Sequence, residues 1–239
     1  MRFLQHLSPY GGYRSLAKAA AALGLAWAAA VNGATAAAPP PALVLALGDS
    51  LTAGYGLPPG QSFPARLEAA LRREGRAVVV HNAGVSGDTS AQGRARLAWV
   101  LRGLPRTPDV AIVALGANDM LRGQPVDRMR DNLDAIVREL KARGVEVVLA
   151  GMLAAPNLGP DYARAYNATF PDLAHRHRLL FRPFFLDGVA GNPSRLLPDG
   201  MHPNERGVEV MVEGMLPLVR AALDRAAARH RAMAAPSAR

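Results

Sequence analysis

The chain has 239 residues, a net charge of +9 and no cysteine. Its length suits one sizeable domain. The lack of thiols excludes disulfides, thiolate metal sites, iron–sulfur clusters, a cysteine nucleophile and a lipidated N-terminal cysteine.

The basic charge points first towards nucleic acid or an anionic membrane, but its distribution argues otherwise. Arg2, Arg14 and Lys18 stand near the start with no acid among them. Arg220, Arg225, Arg229, Arg231 and Arg239 follow Pro217 against the single acid Asp224. The body between these ends is nearly neutral. Only 5% of residues are aromatic, too few for a stripe of interleaved basic and aromatic side chains. No nucleic-acid partner is expected, and the basic C-terminal end is expected to make at most weak contact with anionic lipid.

In chain order, the positive segment precedes an apolar run over residues 19–31 and then Ala34-Thr35-Ala36. This order predicts a secretory signal peptide over residues 1–36, cut between Ala36 and Ala37, and hence a periplasmic or secreted protein. The run is shorter than the roughly 20 residues that span a bilayer. Residues 37–41, with Pro39, Pro40 and Pro41, read as a stiff lead-in that cannot continue a helix. A single domain is expected over 42–230 and a basic tail over 231–239.

Leu43-Val44-Leu45-Ala46-Leu47 is apolar at every position, the pattern of a strand covered on both faces. Similar runs at 77–80, 110–115, 145–150 and, more weakly, 179–181 predict about five strands. Helical spacing appears at 63–73 and at 127–143, the latter closing on Gly144. Segments 161–177 and 204–228 complete the helices. Strands alternating with helices predict an α/β domain with a mostly parallel sheet and helices on both faces. Ligands of such sheets bind outside the carboxyl ends of the strands, where strand order reverses.

Four blocks fall in loops that suit this rule. Gly48-Asp49-Ser50-Leu51 follows the first strand, where a tight turn can present the Ser50 hydroxyl as a nucleophile. Thr52 stands where the G-x-S-x-G elbow has its second glycine, so that motif does not fit. After the second strand, Gly87 offers a bare N–H to a reacting oxygen, and Asp88, Thr89 or Ser90 can cap the next helix. After the third, Asn118 offers a neutral amide donor, or else ties two polar loops together. Finally, Asp199 stands three residues before His202. It can hydrogen-bond one ring nitrogen and leave the other free to act as base.

Together these blocks resemble the SGNH, or GDSL-type, hydrolases, and they span Gly48 to Pro203 in the family's order. Gly48-Asp49-Ser50-Leu51-Thr52-Ala53-Gly54-Tyr55-Gly56 and Gly116-Ala117-Asn118-Asp119-Met120-Leu121-Arg122-Gly123 read like its exported branch. That branch holds thioesterase I, lysophospholipase L1 and the bacterial arylesterases. The resemblance implies a flavodoxin-like three-layer α/β/α sandwich, a monomer, and no metal or organic cofactor. It makes Ser50 the nucleophile, His202 the general base and acid, and Asp199 the residue that orients the histidine. The oxyanion hole becomes the N–H groups of Ser50 and Gly87 with the Asn118 amide, and Asp49 fixes the turn. The expected substrate is a small acyl ester or thioester, with Met120 and Leu121 at the acyl group. Met120 stands where thioesterase-type members carry glycine, so it is expected to narrow or reroute that groove. His6, His81, His175, His177 and His230 match no family motif.

Two rival readings follow from the same residues. An O-acetyl esterase acting on carbohydrate or cell-wall glycans keeps the triad and changes the substrate. A nucleotide or FMN binder would need a phosphate-cradling glycine pattern after the first strand, and none occurs there.

Overall fold

The computed structural model describes residues 40–234. The predicted leader over 1–36, residues 37–39 of the lead-in and residues 235–239 of the tail lie outside the described residues. Five strands form one parallel sheet in the order β2-β1-β3-β4-β5. They are β1 (Ala42–Gly48), β2 (Val78–Gly84), β3 (Val110–Ala114), β4 (Glu146–Ala150) and β5 (Leu180–Arg182). This is the order of flavodoxin-like doubly wound sheets, with the reversal between β1 and β3.

Around the sheet lie α1 (Ser50–Ala53), α2 (Phe63–Arg73), α3 (Ser90–Gly103), α4 (Ala117–Leu121), α5 (Val126–Ala142), α6 (Pro160–His177) and α7 (Glu205–Ala234). Helices α2 and α7 pack together on one side of the sheet; α3 packs on α5, and α5 on α6, on the other. Layers on both sides explain why β1, β3 and β4 are apolar at nearly every position and almost wholly buried. Among the described residues, no helix is long and apolar enough to cross a membrane.

Three of the longer elements differ from their sequence expectation, each for a physical reason. Strand β2 continues past residue 80 to Gly84, pairing with β1 as far as Gly48. It is an edge strand, and its exposed His81 and Asn82 end the apolar pattern before the pairing ends. Helix α3 has no counterpart among the segments found by apolar spacing. Its buried stripe begins with Ser90 and Gly93, which carry no hydrophobic signal, before Leu97, Val100 and Leu101. Helix α7 runs to Ala234 rather than 228, carried by alanine and arginine of high helix propensity.

Candidate active site

Only Asp49 separates the end of β1 from the start of α1. Its Oδ1 accepts the Leu51 N–H at 3.0 Å and so caps the helix. Ser50 thereby takes the first helical position, where the N–H has no carbonyl within the helix to pair with.

The histidine block is held by a tight loop. Leu196 and Pro203 form an antiparallel bridge, and the Leu197 N–H donates to the His202 carbonyl at 2.8 Å. Asp199 Oδ1 accepts the N–H groups of Met201 and His202 at 2.9 and 3.0 Å, and Oδ2 lies 2.7 Å from His202 Nδ1. These bonds, the His202 and Met201 backbone N–H groups foremost, hold the carboxyl well below the usual range, at about 2. An ionised carboxylate only accepts, so Nδ1 carries the proton and Nε2 is left as an acceptor. His202 Nε2 lies 3.0 Å from Ser50 Oγ. Ser50, His202 and Asp199 thus meet in one line of hydrogen bonds, although serine and histidine stand 152 residues apart.

Gly87 lies in the turn Val85–Asp88, closed by the Asp88 N–H on the Val85 carbonyl at 3.1 Å. Its φ is 86°, and the non-glycine residue with positive φ among those described is Arg178, so Ser86 keeps a negative φ. That combination is a type II turn with glycine at its third position. The central peptide of the turn carries the Gly87 N–H, and a type I turn would point that N–H the opposite way. Glycine here sets the direction of a donor. From the facing loop, Arg122 donates to the Gly87 carbonyl at 2.7 Å and Asn118 Nδ2 to the Asp88 carbonyl at 3.0 Å.

Asn118 Nδ2 also lies 3.3 Å from Asp49 Oδ2. Asp49 is 2% exposed, and burial pushes its carboxyl up to about 6 despite the Leu51 N–H, which favours the ionised form. Through its bond to the Asp88 carbonyl, Asn118 also ties the two segments together, alongside Asp119, whose carboxylate takes the Ser90 N–H at 2.7 Å and the Ser90 hydroxyl at 2.6 Å. Of the three candidate caps, Thr89 caps α3, in a capping box with Gln92. Asp88 instead pairs with Arg96 at 2.6 Å.

These groups open on a cavity of about 450 Å³ lined by Ser50, Gly87, Asn118, Met120, Leu121 and His202, with Tyr55, Met152, Leu186 and Met201. Met120 is buried, and its sulfur accepts the Ala155 N–H at 3.2 Å; Leu121 is exposed at the mouth. Sequence reasoning gave no role to Tyr55, Met152, Leu186 or Met201. The last three come from loops whose meeting depends on the whole fold. Tyr55 carried one unused signal, its place between Gly54 and Gly56. Among the remaining histidines, His177 Nε2 lies 2.7 Å from Asp134, remote from the cavity. Among the described residues, no group of three or more histidines and carboxylates is arranged to hold a metal ion. A hydroxyl, a base that faces it and several N–H donors around one largely apolar cavity can carry out acyl transfer.

Comparison with known proteins agrees with that chemistry. A family model, the GDSL-like lipase/acylhydrolase family, matches residues 46–210. The chain is 39% identical to an arylesterase of Vibrio mimicus over 160 residues, 67% of this chain and 79% of that protein. It is 37% identical to the thioesterase 1/protease 1/lysophospholipase L1 of Escherichia coli K12 over 161 residues, 67% of this chain and 75% of that protein. The crystal structure of AlinE4, an SGNH-hydrolase family esterase, matches with a TM-score of 0.65 at 46% identity. The match covers 77% of this chain and 97% of that one.

Proposed function

This chain belongs to the GDSL-like lipase/acylhydrolase family, and on that footing we propose that it is a serine esterase working through an acyl-enzyme. Ser50 Oγ attacks the acyl carbonyl carbon while its proton passes to His202 Nε2. The carbonyl oxygen becomes an oxyanion and takes hydrogen bonds from the N–H groups of Ser50 and Gly87 and from Asn118 Nδ2. The amide hydrogen now directed at Asp49 over 3.3 Å is the one the oxyanion takes over. On collapse, His202 gives its proton to the departing alcohol or thiol. Water then loses a proton to His202 and attacks the acyl-enzyme. A second collapse returns the proton to Ser50 and frees the carboxylic acid. Asp199 balances the imidazolium in both halves of the cycle.

The observation that carries this reading is the unbroken Asp199–His202–Ser50 line, 2.7 and 3.0 Å, at an apolar cavity. The lining favours acyl and aryl groups over glycans, so aryl esters, acyl thioesters and lysophospholipids are the proposed substrates. The names of the relatives support the same classes. Met120 lines the same cavity as Asn118 and narrows the acyl groove towards short or aryl esters. Export through a leader cut between Ala36 and Ala37 completes the reading, and N-terminal sequencing of the exported protein should begin at Ala37.

The direct test is a panel of p-nitrophenyl esters from acetate to palmitate, acyl thioesters and acetylated glycans, with Ser50→Ala as control. Short aryl esters should lead, Met120→Gly should extend the profile to longer chains, and Ser50→Ala should be inactive. A preference for acetylated glycans would overturn the substrate class. Identical chain-length profiles would remove the role given to Met120.

A further inference from the structure

After α1 the chain runs Gly54-Tyr55-Gly56, and both glycines adopt positive φ, 85° and 71°. The N–H groups of Gly54 and Tyr55 both donate to the Ser50 carbonyl, at 3.1 and 3.2 Å. A Cβ on Gly54 would lie 2.5 Å from Ser62 Cβ, and one on Gly56 would lie 2.6 Å from Leu197 Cδ1. The backbone of Tyr55 is therefore fixed from both sides and hung on the nucleophile's own carbonyl. Yet the residue is 53% exposed, so core packing does not account for this restraint. Its ring lies on His202, with centroids 4.5 Å apart and planes inclined by 36°.

We propose that Tyr55 is a positioning residue of the acyl-transfer step. Its ring keeps the His202 imidazole in line between Asp199 and Ser50 and stabilises the imidazolium formed when Ser50 gives up its proton. The proposal rests on the reading of His202 as the base. The face of an aromatic ring is electron-rich and attracts a cation within about 6 Å of its centroid. His202 is neutral before attack and cationic afterwards, so the contact strengthens along the reaction coordinate. Only such contacts lower the barrier. Two carboxylates bear on His202, Asp199 on its own loop and the buried Asp49 in the turn after β1. Tyr55 faces it with a ring, and the phenolic hydroxyl takes no part.

The test compares wild type with Tyr55→Phe, Tyr55→Leu and Tyr55→pentafluorophenylalanine on an uncharged aryl ester, measuring kcat and KM separately across pH. Removing the ring with leucine should lower kcat about 3-fold and move the acid limb of kcat/KM about half a pH unit lower. KM should change less than kcat. The pentafluorinated ring keeps the shape, reverses the electrostatics and should move the limb in the same direction, even if the leucine variant folds poorly. Tyr55→Phe should restore the wild-type limb. An unshifted limb in the fluorinated variant, or a loss confined to KM, would overturn the proposal and leave Tyr55 as a wall of the cavity. His202→Ala tests the underlying reading separately. If it reacts with a fluorophosphonate as fast as wild type, the assignment of the base itself fails.

Discussion

Strand β1 meets a buried aspartate at each end, and the protein treats the two in opposite ways. At the amino end, Asp109 accepts the Leu43 N–H at 2.7 Å and pairs with Arg106 at 2.7 Å. Burial works against its charge, but the guanidinium and the N–H outweigh it and hold the carboxyl below the usual range. At the carboxyl end, Asp49 is buried more deeply, its hydrogen-bond partners are an N–H and an amide rather than a cation, and its carboxyl rises to about 6. One carboxylate secures the sheet. The other gives up stability to hold the turn of the nucleophile and to keep the Asn118 amide close to the cavity. The end of the sheet that tolerates an under-compensated charge is the end that carries the chemistry.

Substitutions can break or sharpen this contrast. The largest effect in the series is expected at Asn118. Asn118→Ala should lower kcat on the order of 100-fold with little change in KM, because in the proposed mechanism its amide bonds the oxyanion and not the ground-state carbonyl. Steady-state kinetics on an aryl ester decides this, and a loss confined to KM would make Asn118 a mere binding group.

Asp109→Ala should do the reverse. It should cost about 2 kcal/mol in denaturant unfolding, chiefly by stranding the Leu43 N–H, and leave kcat unchanged. The stability Asp109 supplies is present above the usual carboxylate range and is lost as pH falls through its lowered value. The penalty of the substitution should therefore shrink in acid. A kcat that fell with stability would end the division of labour between the two ends.

Asp49→Asn tests the carboxyl end through pH. With its carboxyl raised from 3.8 to about 6, the stability linked to the protonated form is complete below 3.8 and lost as pH rises through about 6. Relative to wild type, the asparagine variant should gain on the order of 3 kcal/mol as pH rises across that window. Unfolding curves at a series of pH values measure the difference. A flat difference would mean that the partners of Asp49 offset its burial fully.

Much of this molecule is legible in the sequence where a signal is local. β1, β3 and β4 announce themselves because both faces are covered, so nearly every residue is apolar. The pairing of Asp199 with His202 is legible because an i, i+3 pair in a tight loop fixes its own hydrogen bonds. Gly87 is legible as a bare N–H, whereas the type II turn that demands glycine there shows only in the fold. What stays hidden is set by tertiary contact. Residues 81–84 of β2 read as loop because an edge strand shows half its side chains to water. Helix α3 buries Ser90 and Gly93 as if they were apolar. Arg122 and Tyr55 look like ordinary motif members until the fold lays one on the Gly87 carbonyl and the other on His202.

The central claim is that Ser50 carries the acyl group with His202 as its base. Reaction of the protein with an aryl fluorophosphonate, followed by proteolysis and mass analysis of the peptides, tests it most directly. One adduct is expected, on Ser50, formed at a rate that collapses in His202→Ala and parallels the loss of esterase activity. An adduct on another residue, or an unlabelled protein that still hydrolyses esters, would contradict it.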